Sequence, residues 1–186
     1  VIEEGRNGDI WNAKDCAADN YPFLVLTSFF TDVEKFTGVI QEMLENEAKL
    51  TSRVESLPDT YSFSKKGFDH DEVSMERIVF GTSEYLKDGL MPLMEWLGES
   101  PWFVRMETML EDLNNHIDVV GEFDDAFGPA AQAEINGDLL QVLSRMYWMT
   151  GKSQYLDWAL QRGNYFLLGN GYPLSHFEYL RMRDHG

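Results

Sequence analysis

One cysteine, Cys16, stands in 186 residues. An intrachain disulfide and a metal site built from several thiolates both need more sulfur than that, so both are excluded. Basic residues are scarce as well: 15 Lys and Arg face 32 Asp and Glu, for a net charge of −17. A chain this acidic offers no electrostatic footprint for nucleic acid or an anionic membrane surface, and neutral or cationic partners suit it better. No apolar run approaches the roughly 18 residues of a membrane span. The N-terminus lacks the charged and apolar regions of a signal peptide. A Gly-rich phosphate loop, a GxSxG elbow, an HExxH pair and haem or nucleotide signatures are all missing, so no cofactor is expected. The chain opens at Val1 rather than Met and stops at "LRMRDHG", and is expected to be a piece of a longer protein.

What is present is enough for a hydrophobic core: 44% hydrophobic residues, with 13% aromatic, in a chain long enough to bury them. From Pro22 the run "PFLVLTSFF" is apolar almost all round. It predicts a helix buried on every side, with proline in its first turn. "TD" at 31 and 32 breaks the run, and Val33, Phe36, Ile40, Met43 and Leu44 follow at helical spacing with charged residues between them. That is an amphipathic outer helix.

The alternation repeats. "MERIVFGTSEYLKDGLMPLMEWLG" predicts a second broadly apolar helix from about Glu72, kinked at Pro92 and ended by Gly98. An outer helix with a stripe of Phe103, Met106, Leu110, Leu113 and Ile117 follows it. The third inner helix is expected from near Gly137, through "DLLQVLSRMYWM" to Thr150 and Gly151, with Tyr155, Leu156, Ala159 and Leu160 on its outer partner. Junctions at Asp32, Glu99 and Lys152 fit repeated helical hairpins with insertions. One insertion, "LTSRVESLPDTYSFSKKG", reads as a β-hairpin turning at Pro58 and Asp59. "PLSHFEYLRMRD" reads as a further extended segment. An ordinary helical bundle or a solenoid would show the same periodicity.

The segment "INGDLLQVLSRMYWMTGKSQYLDWALQRGNYFLL" resembles the hairpins of six-hairpin glycosidase-like (α/α) toroids, with their buried helix, "TG" turn, "YL" pair and "A". "EYLKDGLMPLMEWLGESPWFVRMETML" and "DNYPFLVLTSFFTD" look like two more such units. The resemblance implies a mainly all-α chain: a partial (α/α)6 toroid of about three helical hairpins with a small inserted β-hairpin, residues 1–186 forming one domain of a larger toroid. The opening "WNAKDCAADNYPFL" is similar, more loosely, to the "W-x-D" to "pfL" stretch of unsaturated glucuronyl hydrolases. In that family an acid ahead of an inner helix performs acid/base chemistry, which implies Asp15 or Asp19 here. The implied substrate is an oligo- or polysaccharide, and the implied setting periplasmic or extracellular.

If inner helices all point one way, the loops entering them share a face. The first loop brings Trp11, Asn12, Asp15, Asp19 and Tyr21, the second Asp69, His70 and Asp71, the third Glu134, Asn136 and Asp138. The tail adds Arg181, Arg183, Asp184 and His185. Sugar chemistry uses this mixture, because aromatic faces stack on a pyranose while carboxyls exchange protons with the glycosidic oxygen or a water. Each candidate also has a plainer role. Asp15 and Asp19 would cap a helix. "DHDE" at 69 to 72 suits a solvated helix start better than a metal site, since adjacent residues rarely face one ion. Asn136-Gly137-Asp138 fits a turn and cap, and Asp88 a structural hydrogen-bonding group. Two rivals to a hydrolase are a polysaccharide lyase, with Tyr21 or His185 as base and Arg181 or Arg183 on a uronate, and a noncatalytic glycan-binding or scaffold toroid.

Overall fold

The computed structural model describes residues 8–117 and 129–167, and side chains at 8–117 and 134–164. The extended segment expected within 173–184, and with it the tail residues Arg181, Arg183, Asp184 and His185, lies outside the described residues. The protein is mainly helical with a few short strands. It divides into two compact units, Val1–Asn115 and His116–Gly186.

In the first unit α1 runs over Tyr21–Thr31. Asp32 both ends it and starts the next helix: its N–H bonds Ser28 O at 2.8 Å, and its carboxylate accepts from Lys35 N at 3.1 Å and Lys35 Nζ at 2.6 Å. Capping by an acid at this position satisfies backbone donors that the first helical turn leaves open. The second helix comprises α2, Val33–Lys35, a wide π-helical turn, Phe36–Ile40, and α3, Gln41–Thr51. The second hairpin starts with α4, Met75–Glu84, capped by Ser74 Oγ accepting from Arg77 N. A π-helical segment, Tyr85–Leu90, carries it into α5, Met91–Leu97. Gly98, at φ +60°, closes it in a conformation that side chains resist. The return helix is α6, Pro101–His116.

The two hairpins lie side by side in the same sense. Ala17, just before α1, approaches Gly89, while Phe30 near the end of α1 meets Trp96 near the end of α5, rings 5.6 Å apart. The return helices follow the same order: Phe36 stacks on Trp102 at 5.4 Å, and Glu47 bonds Arg105. Ile78, Leu86, Leu90, Leu93 and Met94 are buried along the first helix of the second hairpin, and Met106, Leu110 and Leu113 along α6, as their spacing predicts.

Two expectations for this first unit need correction. The all-apolar α1 buries only Tyr21 and Val25, and leaves Phe23 74% and Phe30 60% exposed. An apolar sequence asks for cover on every side but does not supply the partner. The inserted hairpin does not turn at Pro58 and Asp59 either. Strand β2, Ser52–Val54, pairs antiparallel with β3, Leu57–Pro58, around Glu55 at φ +50°. Strand β4, Tyr61–Ser62, pairs with β5, Gly67–Phe68, and also with the N-terminal β1, Ile10–Trp11, giving a three-stranded sheet. Asp59 sits between the two sheets because its buried carboxylate is held by Arg77 Nε at 2.7 Å and Nη2 at 2.9 Å.

The second unit contains a helical hairpin, α7, Pro129–Thr150, and α8, Ser153–Leu167, with Gly151 at φ +68° between them. Leu139, Val142, Leu143 and Met146 form its buried stripe, whereas Trp148 is 85% exposed. The helix begins at Pro129 rather than near Gly137, since a proline followed by alanines is a good helix opening.

Candidate functional site

The loop ahead of α1 does not deliver its side chains to one place. Asn12 and Asp15 face each other: Asn12 Oδ1 accepts Asp15 N–H at 2.7 Å, and Asn12 Nδ2 donates to Asp15 Oδ2 at 3.0 Å. Asn20 Nδ2 closes the turn on Asp15 O at 3.0 Å. Asn12 therefore caps the π-helical turn Ala13–Ala17, and the Asp15 carboxylate is engaged by the capping side chain. Asn12 also borders a small pocket of about 190 Å³ beside Asp59, Thr60 and Arg77. The hydrogen bond from Arg77 to Asp59 holds the guanidinium pKa above its ordinary value, which marks a structural ion pair.

Trp11 and Tyr21 turn inward. Trp11 Nε1–H donates to Tyr21 Oη at 3.0 Å, and the Tyr21 ring meets Tyr85 edge to face at 5.6 Å. Tyr85 Oη–H donates to Glu47 Oε2 at 3.3 Å, and Thr51 Oγ1 to Glu47 Oε1 at 3.1 Å. Arg105 completes the cluster with Nε 3.2 Å from Oε2 and Nη2 2.7 Å from Oε1, while its Nη1 donates to Ser56 O at 2.7 Å. Burial, reinforced by the Glu47 charge, pushes the phenols of Tyr21 and Tyr85 well above the usual tyrosine range. Burial alone would lower the Arg105 pKa; attraction to Glu47 reverses that and keeps the guanidinium charged. A cavity of about 240 Å³ adjoins this cluster, bordered by Trp11, Tyr21, Asn46, Glu47, Tyr61 and Phe63.

Asp19 faces a third space. A groove of about 700 Å³ runs along the uncovered side of α1, floored by Phe23, Leu26, Phe30 and Pro92, with Asp19 from the entry loop and Asp88 from the π-helical segment on its walls. The structure thus places Asp19 and Asp88, the latter with Lys87 Nζ 3.2 Å from its Oδ2, on the border of one groove, and Trp11 against Tyr21, while Asp15 does not border that groove.

Asp69, His70 and Asp71 precede α4 in a solvated loop, where Lys65 Nζ pairs with Asp69 at 3.1 Å and His70 Nε2 lies 3.7 Å from it. They border none of these three spaces. Glu134, Asn136 and Asp138 lie within α7, so the reading of 136–138 as a turn and cap is corrected. Glu134 is exposed, Asn136 and Asp138 are buried, and Arg162 Nη1 donates to Asn136 Oδ1 at 3.2 Å. Burial pushes Arg162 down to about 10. Among the described residues no group of three or more His, Cys, Asp or Glu is placed to hold a metal ion. Nor is any described helix long and apolar enough to cross a membrane.

Sequence reasoning passed over Glu47 and Arg105. The signal was there: Ile40, Leu44, Glu47 and Thr51 occupy one buried stripe, and Arg105 lies between Trp102 and Met109 on another. A charged residue on an apolar stripe needs a partner, and here each is the other's. Asp88 carried no such mark, because only the approach of α1 gives it a groove to face.

Compared with protein-family models, with curated proteins and with solved structures, the chain matches none.

Proposed function

We propose that this chain is part of an (α/α) toroid that hydrolyses a glycosidic bond in a neutral oligo- or polysaccharide, with substrate lying in the groove beside α1. Two features support the toroid reading: hairpins stacked in the same sense, and an inner helix whose apolar side, at Phe23 and Phe30, lacks cover among the described residues. The observation that carries the activity is the presence of Asp19 and Asp88 on the border of one groove that Phe23 and Phe30 also line. Aromatic side chains take the apolar face of a sugar ring, and two carboxyls divide the work of glycosidic cleavage. One donates a proton to the departing glycosidic oxygen. The other acts on the anomeric carbon directly, or removes a proton from the attacking water.

The groove's charge favours hydrolysis of a neutral glycan over a lyase reaction. Asp19 and Asp88 border it, and Lys87, whose Nζ lies 3.2 Å from Asp88 Oδ2 and 3.3 Å from Glu84 Oε1, is already matched by two carboxylates, so the groove offers a uronate no surplus positive charge. The test is reducing-end release by the intact protein from a panel of neutral polysaccharides. Asp19→Asn and Asp88→Asn should each lower kcat by about 100-fold or more with helical circular dichroism unchanged. Full activity in both variants would refute the assignment. Rising absorbance from an unsaturated product would establish the lyase, and binding without new reducing ends the noncatalytic toroid.

A further inference from the structure

We infer that the cavity between β1, β4, α3 and the start of α1 is a second binding site, separate from the groove, for a single neutral sugar ring. The inference does not depend on the hydrolase reading, because it concerns a different face of the first hairpin: Asp19, Asp88, Phe23 and Phe30 border the groove and none of them borders this cavity.

The walls decide the chemistry. Trp11, Tyr21, Tyr61 and Phe63 supply aromatic surface, and Asn46, Glu47 and Thr51 supply polar atoms on one side. A pyranose has that division, with an apolar C–H face and a rim of hydroxyls. Charge is the second consideration. Glu47 is matched by Arg105 through two hydrogen bonds, so the pair presents no net charge to a ligand, and neither an organic cation nor an anion gains by entering. Size is the third. About 240 Å³ is roughly eight times the share of one liquid water, but falls below the ~300 Å³ at which pockets for drug-sized ligands begin. One ring fits and a chain does not.

Tyr21 supplies an independent observation. It is only 1% exposed, it borders the cavity, and its hydroxyl accepts the Trp11 N–H. Among the described residues nothing accepts the hydroxyl's own proton. A buried donor without an acceptor is costly, and a sugar oxygen in the cavity would relieve it. Phe63, 48% exposed, stands at the mouth with Leu50 and leaves the cavity open to solvent.

The probe is methyl β-glucopyranoside, its binding to the intact protein followed by saturation-transfer NMR, which needs no turnover. Saturable binding is expected. Tyr21→Phe should weaken it by about tenfold, the equivalent of one hydrogen bond. Phe63→Ala, a change at a half-exposed position that the fold tolerates, should weaken it by a similar factor. Asp19→Asn and Asp88→Asn, which the groove reading makes inactive, should bind the probe as the parent does. The proposal is overturned if no saturable binding occurs, if Phe63→Ala leaves the affinity within about twofold, or if the Asp19 and Asp88 variants are the ones that lose it. Loss of hydrolysis alone would bear only on the groove.

Discussion

Arg105→Met is the sharpest test of the buried cluster. Its guanidinium reaches both oxygens of Glu47, at 3.2 and 2.7 Å, and Ser56 O at 2.7 Å. Methionine fills much of the same space but leaves the carboxylate, on a residue only 5% exposed, with just the Thr51 and Tyr85 hydroxyls at 3.1 and 3.3 Å. Ser56 O would retain only the Ser52 hydroxyl at 3.4 Å. Removing one partner of a buried pair costs about 3–5 kcal/mol, against a total stability of about 5–15 kcal/mol for an ordinary domain. The double change Glu47→Leu with Arg105→Met removes both charges and should recover most of that loss. A residue of about 1 kcal/mol would remain from the Tyr85 hydroxyl, which loses its acceptor. Urea unfolding of parent, single and double variants, followed by tryptophan fluorescence and circular dichroism, measures each term. A single-variant cost under about 1 kcal/mol would place the pair with solvent-screened surface bridges and refute the reasoning. A double variant less stable than the single would refute it as well.

Two further outcomes follow from the same interior. The phenols of Tyr21 and Tyr85 titrate above their unfolded value, so the native state holds those protons more tightly than the unfolded state. Their contribution is fully present below about pH 10 and is lost as pH rises beyond it. The tyrosinate absorbance step that accompanies alkaline unfolding should therefore shrink in Tyr21→Phe and in Tyr85→Phe; ionisation of both phenols in the folded protein would contradict it. Gly89→Ala should cost about 1–3 kcal/mol in thermal unfolding, because a Cβ there would stand 2.5 Å from the buried Tyr85 ring and 3.2 Å from Ala17 O. A neutral result would mean that the entry loop and the second hairpin are not so closely packed.

The candidate site was legible only in part. Trp11, Tyr21 and Asp19 stood out because polar and aromatic residues gather ahead of an apolar helix, and each does border a cavity or groove. Their separation into different spaces was not legible, since neighbours along a loop need not point the same way. Asp15 shows the difficulty: equal in sequence to Asp19, it is drawn to Asn12 by two short hydrogen bonds.

The sequence by itself determined where the helices stop. Asp32, Gly98 and Gly151 end them by means that act within one turn: Asp32 bonds Ser28 O through its N–H while its carboxylate caps the following helix, and the two glycines take a positive φ. Such signals need no distant partner. Only the tertiary structure decided what the helices meet. Glu47 and Arg105 are 58 positions apart, β1 pairs with β4 across the whole first hairpin, and Asp19 and Asp88 border one groove because two hairpins stack in the same sense. Helical periodicity states that a face must be covered, and spacing along the chain carries no record of which distant face covers it.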